Sequence, residues 1–109
     1  MADFIKVAGA DEIAPGQMRS YSAGDRNILI TNYAGRYYAI DSRCTHMGGD
    51  LSKGTLEDNI VKCPRHGSRF DVTSGKNISG PKLGPFKIRV KDVRSYEIIV
   101  ENNEIKVKI

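Results

Sequence analysis

Both cysteines and both histidines of this 109-residue chain fall in two short segments, Cys44-Thr45-His46 and Cys63-Pro64-Arg65-His66. The pattern is C-x-H, then sixteen residues, then C-x-x-H. Thiolates and imidazoles in matched pairs are a donor set for a tetrahedral zinc ion, or for a binuclear iron centre with sulfur ligands on one metal and nitrogen on the other. A third reading, two buried thiols beside two unrelated histidines, leaves the pairing a coincidence. Gly48-Gly49 after the first pair and Gly67 after the second permit tight turns that bring backbone amides near an anion. Pro64 stiffens the second segment and withholds a competing amide donor. On residue types alone, all three readings stay open.

The elements that must position these groups read as strands. Phe4 to Val7, Gln17 to Ser22 and Asn27 to Thr31 are short β-prone runs separated by polar or turn residues. Asn32-Tyr33-Ala34-Gly35 lies between Ile28-Leu29-Ile30 and Tyr37 to Ile40, a hairpin spacing. Lys87-Ile88-Arg89-Val90-Lys91 alternates charged and aliphatic residues, which predicts a strand with one wet face. Tyr96 to Val100 and Glu104 to Ile109 flank Asn102-Asn103, a pair suited to a tight turn. Helical periodicity is confined to Ala10 to Ile13, cut short by Pro15-Gly16. The expectation is one all-β domain of about eight to ten strands, a sandwich or barrel of antiparallel sheets. Residues 43–54 and 63–86 are rich in Gly, Ser and Pro and read as two loop systems standing on that base, with β-prone Asn59 to Lys62 between them.

Composition sets the outer bounds. Seventeen basic against thirteen acidic residues give a net charge of +4, too diffuse to argue for nucleic acid. Residues 1–40 hold four of each sign, so the surplus lies in 41–109. No apolar run reaches the roughly 18–20 residues of a membrane span, and the first residues do not resemble a secretory signal. Two cysteines cannot make the disulfide framework of a small secreted scaffold, so a reducing cytoplasm is expected; the chain is expected to be a monomer.

The two segments resemble those of the soluble Rieske-type ferredoxins, specifically the branch of dioxygenase ferredoxins and archaeal sulredoxin-like proteins. The resemblance rests on Cys44-Thr45-His46-Met47-Gly48-Gly49, on Cys63 to Asp71, and on Thr73-Ser74-Gly75. It spans essentially the whole chain. It implies a β base (1–42 and 87–109) and a cluster-binding subdomain (about 43–86), with Gly80 to Pro85 as a third, covering loop. It also implies a [2Fe–2S] cluster held by Cys44, His46, Cys63 and His66. The function implied is a one-electron carrier, with no catalytic site, between a reductase and a terminal oxygenase or other acceptor. A redox subunit of a larger oxygenase or reductase and a zinc-stabilised β binding module are the alternatives.

Two departures bear on the potential. Gly49 and Arg65 stand where the Rieske proteins of cytochrome complexes carry a disulfide between the loops. Phe70 stands where high-potential members place a tyrosine hydroxyl against a ligand sulfur. Ser68 matches the position of a hydroxyl directed at a bridging sulfide, although a turn serine would look the same. Two histidines in place of two thiolates leave the cluster less negative and easier to reduce. Across Rieske centres the range is about −150 to +300 mV, and the lower part, roughly −150 to 0 mV, is expected here. Arg65 and Arg69, beside the ligands, are expected to help dock an acidic redox partner.

Overall fold

A computed structural model of the chain describes residues 4–45, 48–65, 67–80, 82–83, 86–87 and 90–109. It is built almost wholly from antiparallel strands, and its helical content among the described residues is two short 3₁₀ turns, Ala10–Glu12 and Leu51–Lys53. The strands are β1 (Phe4–Gly9), β2 (Met18–Ala23), β3 (Arg26–Tyr33), β4 (Arg36–Asp41), β5 (Thr55–Glu57), β6 (Ile60–Lys62), β7 (Arg69–Asp71), β8 (Asn77–Ser79), β9 (Lys82–Leu83), β10 (Phe86–Lys87), β11 (Ser95–Tyr96), β12 (Ile98–Glu101) and β13 (Glu104–Lys108).

These strands make a sheet β1-β13-β12, a sheet β11-β4-β3-β2, a sheet β5-β6-β7-β8 and the small ladder β10-β9. The hairpins read from sequence form as expected. Tyr33 pairs with Arg36 across Ala34-Gly35, and Glu101 pairs with Glu104 across Asn102-Asn103. All four turn residues have positive φ, the backbone of a two-residue turn whose twist matches the strands.

The β2-β3-β4 meander is a wall between two apolar cores. Ile28, Ile30 and Ala39 pack into one core with Ala8, Ile105 and Val107. Leu29 and Ile40, facing the other way, pack with Cys44, Leu51, Val61, Cys63, Phe70, Val72 and Val93. Side chains alternate between the faces of a strand. A strand buried on both faces therefore shows a continuous apolar run, Ile28-Leu29-Ile30, where a half-exposed strand would alternate.

Three expectations need correction. Thirteen strands occur among the described residues, more than the eight to ten expected, because segment 63–86 contains ladders of two or three residues. Of the alternating run Lys87 to Lys91, Lys87 belongs to β10, Ile88 and Arg89 lie outside the described residues, and Val90 and Lys91 belong to no strand. The run Tyr96 to Val100 is divided, since Tyr96 pairs with β4 and Ile98 with β13. The chain changes sheet at Glu97, whose carbonyl accepts the Lys108 amide. Within the covering loop expected at Gly80 to Pro85, Lys82–Leu83 form β9, while Pro81, Gly84 and Pro85 lie outside the described residues.

Candidate metal centre

Two loops of the same construction carry the cysteines. In the first, the Cys44 amide donates to the Gly49 carbonyl (2.7 Å) and the Cys44 carbonyl accepts the Gly48 amide (3.1 Å). In the second, the Cys63 amide donates to Ser68 (2.7 Å) and the Cys63 carbonyl accepts the Gly67 amide (3.1 Å). Each cysteine thus opens a tight loop closed by its own backbone. The fourth residue on sits at positive φ, +66° at Gly48 and +82° at Gly67, which is why both are glycine.

Short ladders hold the loops in place. The second loop joins β6 to β7, where Lys62 pairs with Arg69. The first is closed by the bridge between Arg43 and Asp50 and by the Leu51 amide on the Ser42 carbonyl (2.8 Å). Beneath it, the Asp50 carboxylate accepts from the Ser52 amide (3.0 Å), the Ser52 hydroxyl (2.7 Å) and Ser42 Oγ (3.3 Å). Partial burial pushes the Asp50 carboxyl upward, but these donors outweigh it and hold its pKa below the usual value. Under the second loop, burial likewise raises Asp71, and the Thr73 hydroxyl and amide bring it down below its ordinary value. That Asp71-x-Thr73 turn accounts for the Asp71 to Gly75 part of the sequence motif.

The loops meet face to face. A Cβ at Gly49 would lie 2.6 Å from Cys63 Sγ and 3.4 Å from the Arg65 side-chain stem, so only glycine fits. Each cysteine is 2 % exposed, and neither forms a disulfide. Ser68, 1 % exposed, has a hydroxyl with no hydrogen-bond partner in the protein. Such a buried orphan costs about 1–3 kcal/mol unless something accepts its proton. Two buried thiols on twin loops and an unanswered donor beside them fit a group bearing sulfur and charge.

Phe70, wholly buried on β7, packs in the same core as both cysteines and has no hydroxyl to offer. Arg65 and Arg69 are both exposed, Arg65 in the loop and Arg69 on β7. His46 and His66 lie outside the described residues.

Sequence reasoning missed the strap formed by residues 90–94. Thr45 Oγ donates to the Lys91 carbonyl, the Val93 amide donates to Gly75 (2.9 Å), and Asp92 accepts the Asn77 amide (2.8 Å). The Asp41 amide then donates to the Arg94 carbonyl (2.8 Å). Four consecutive residues so join the first loop, the β7–β8 turn and the base. Backbone acceptors leave little mark in a sequence, although Val93 as an isolated apolar residue was a signal.

Twin cysteine loops packed on a β base define a metal-cluster protein of the iron–sulfur kind. Residues 3–97 match the family model described as Rieske [2Fe-2S] domain, and the chain belongs to that family. It is 31% identical over 96 residues to the ferredoxin component of biphenyl 2,3-dioxygenase from Rhodococcus jostii (strain RHA1), covering 88% of this chain and 90% of that one. Its fold matches the ferredoxin of carbazole 1,9a-dioxygenase from Nocardioides aromaticivorans IC177 with TM-score 0.80 and 28% identity, over 95% of each chain. It also matches a chain in a complex of reduced oxygenase and oxidised ferredoxin in carbazole 1,9a-dioxygenase, with TM-score 0.77, 28% identity, and coverage of 96% and 92%. The cofactor is a [2Fe–2S] cluster and the chain is an electron carrier. The zinc module gives way to this reading. No helix among the described residues is long and apolar enough to cross a membrane.

Proposed function

We propose that this chain is the cytoplasmic ferredoxin of a multicomponent oxygenase, taking single electrons from a reductase and passing them to the terminal oxygenase. The twin loops carry the proposal: both cysteines are buried, and the Ser68 hydroxyl has no protein partner. Cys44 and Cys63 would hold one iron of the cluster, and His46 and His66 the other. The cluster supplies a one-electron couple. The protein's own residues set the conditions for it. The core around Cys44 and Cys63 keeps water from the sulfurs. Ser68 supplies a donor that favours the more negative, reduced state, while Phe70 withholds a second one. Fewer donors mean a low potential, roughly −150 to 0 mV. Arg65 and Arg69 are each exposed and would help dock an acidic partner.

The division into a base (1–42 and 87–109) and a cluster-binding subdomain (43–86) belongs to the same proposal. It is supported by the two cores on opposite faces of β3 and β4. Reconstitution with iron and sulfide tests the whole reading. The expected product is coloured, contains equal iron and sulfide, and is bleached by one electron per chain. A colourless protein that takes up only zinc overturns it.

A further inference from the structure

Three of the thirteen basic residues of 41–109 line one cleft, and two of them, Lys53 and Lys62, lie outside the ligand motif. Beside the second loop lies a cleft of about 510 Å³, with Lys53, Lys62 and Arg65 among its lining residues and no acidic side chain among the described residues that line it. These cations come from three different pieces of structure: the 3₁₀ turn after the first loop, the end of β6, and the ligand loop itself. Cys63 forms part of the cleft wall.

Local geometry keeps the cleft open. Gly54, where the 3₁₀ turn ends, lies so close to β6 that a Cβ there would fall 1.9 Å from the Lys62 carbonyl and 3.2 Å from Pro64 Cδ. The lysine turn is thereby pressed against the start of the ligand loop. The Lys62 side chain runs along Gly67, whose Cβ would lie 3.3 Å from its Cε.

We infer that this cleft is a docking groove for an acidic segment of a redox partner protein, seated between Lys53, Lys62 and Arg65 against the wall that holds Cys63. The inference rests on the electron-carrier reading and specifies where its partner binds. A lone small anion is held by convergent donors at one point. Here Lys53 and Arg65 are exposed and the charges are spread around an open cleft, which suits several carboxylates in succession. Charges placed in this way set association rate and specificity and respond to ionic strength.

The test uses the cluster-loaded protein and a fluorescently labelled hexaglutamate peptide, with binding read by anisotropy at low salt. The double variant Lys53→Glu/Lys62→Glu should weaken binding about tenfold or more. Arg36→Glu, an equal charge change per site at the exposed start of β4, should weaken it less than about twofold. Lys53→Gln/Lys62→Gln serves as a milder pair should the glutamates disturb folding, and it should show the same direction. Equal losses at Arg36 and at the cleft would reduce the effect to diffuse charge and overturn the inference. So would displacement of the peptide by low concentrations of inorganic phosphate, which would mark a small-anion site. Visible absorption of the same samples separates the two readings. Loaded protein without discrimination sinks only the groove, whereas failure to load a cluster sinks the carrier reading and the groove with it.

Discussion

The two cores on either side of β3 and β4 are built on different terms. The core under β1, β12 and β13 contains Ile13, Ile28, Ile30, Ile105 and Val107 and is closed by long ladders, five pairs between β1 and β13 and six between β2 and β3. The core on the other face holds both cysteines and is closed by three-residue strands, twin turns and the 90–94 strap. The first needs nothing but its own apolar surface. The second leaves the Ser68 hydroxyl unanswered, the other orphan, Thr31 Oγ1, lying on the shared strand β3, and it brings backbones too close for any Cβ. One half of the protein is a scaffold, and the other is completed by what it binds.

The largest contrast should come from removing a proposed ligand. Cys63→Ser is expected to abolish the visible absorption of the cluster. Amide hydrogen exchange should then show lost protection across β5 to β8, with β1, β3, β4 and β13 still protected. Uniform loss across both halves would mean that they do not fold as separable units.

A pair of glycine variants sharpens the same contrast in stability. Gly54→Ala forces a Cβ against the Lys62 carbonyl and should cost about 3 kcal/mol, the upper end for overpacking. Gly24→Ala, at φ +64° with open space around it, should cost about 1–2 kcal/mol from backbone conformation alone. Urea denaturation of the two variants gives the comparison, and equal costs would remove the distinction.

The donors around the sulfurs set the next effect. A hydrogen bond to a charged acceptor is worth about 1.5–3 kcal/mol. For one electron about 1.4 kcal/mol corresponds to 59 mV. Phe70→Tyr should therefore raise the potential by at most about 60–130 mV, and Ser68→Ala should lower it within the same bound. In the cluster-free protein Ser68→Ala should be neutral or stabilising, since it removes a buried orphan hydroxyl. Voltammetry and thermal melts on the same variants check both signs.

The smallest effect concerns acid. Asp50 and Asp71 have lowered carboxyl pKa values, so their contribution is present above the unfolded value of about 3.9 and is lost as pH falls through the folded values. Both are only partly buried and burial opposes their donors, so the loss should be slight. It should appear as a steeper fall in stability below about pH 4 in the native protein than in Asp50→Asn/Asp71→Asn. Parallel curves for the two proteins would show that these carboxylates do not matter.

The legibility of the sequence followed the same division. The hairpins at Ala34-Gly35 and Asn102-Asn103 were readable because turn chemistry and flanking apolar runs agree there. The ligand motif was readable because all four Cys and His residues take part in it. The strands β5, β7 and β8 were hidden, as three residues are too few to show a period. The alternation of Lys87 to Lys91 misled because side-chain pattern does not reveal whether a partner strand is available. The groove at Lys53 and Lys62 was invisible as well, since its walls are brought together by β5–β6 pairing and by Gly54, a glycine with no motif around it.

The shared wall also makes β3 unusually sensitive to register. Ile28 and Ile30 face one interior and Leu29 the other. Sliding this strand by a single residue would exchange the occupants of both interiors at once. An insertion within β3 should therefore disorder the core of the base and the cysteine loops together, even though β3 carries neither cysteine.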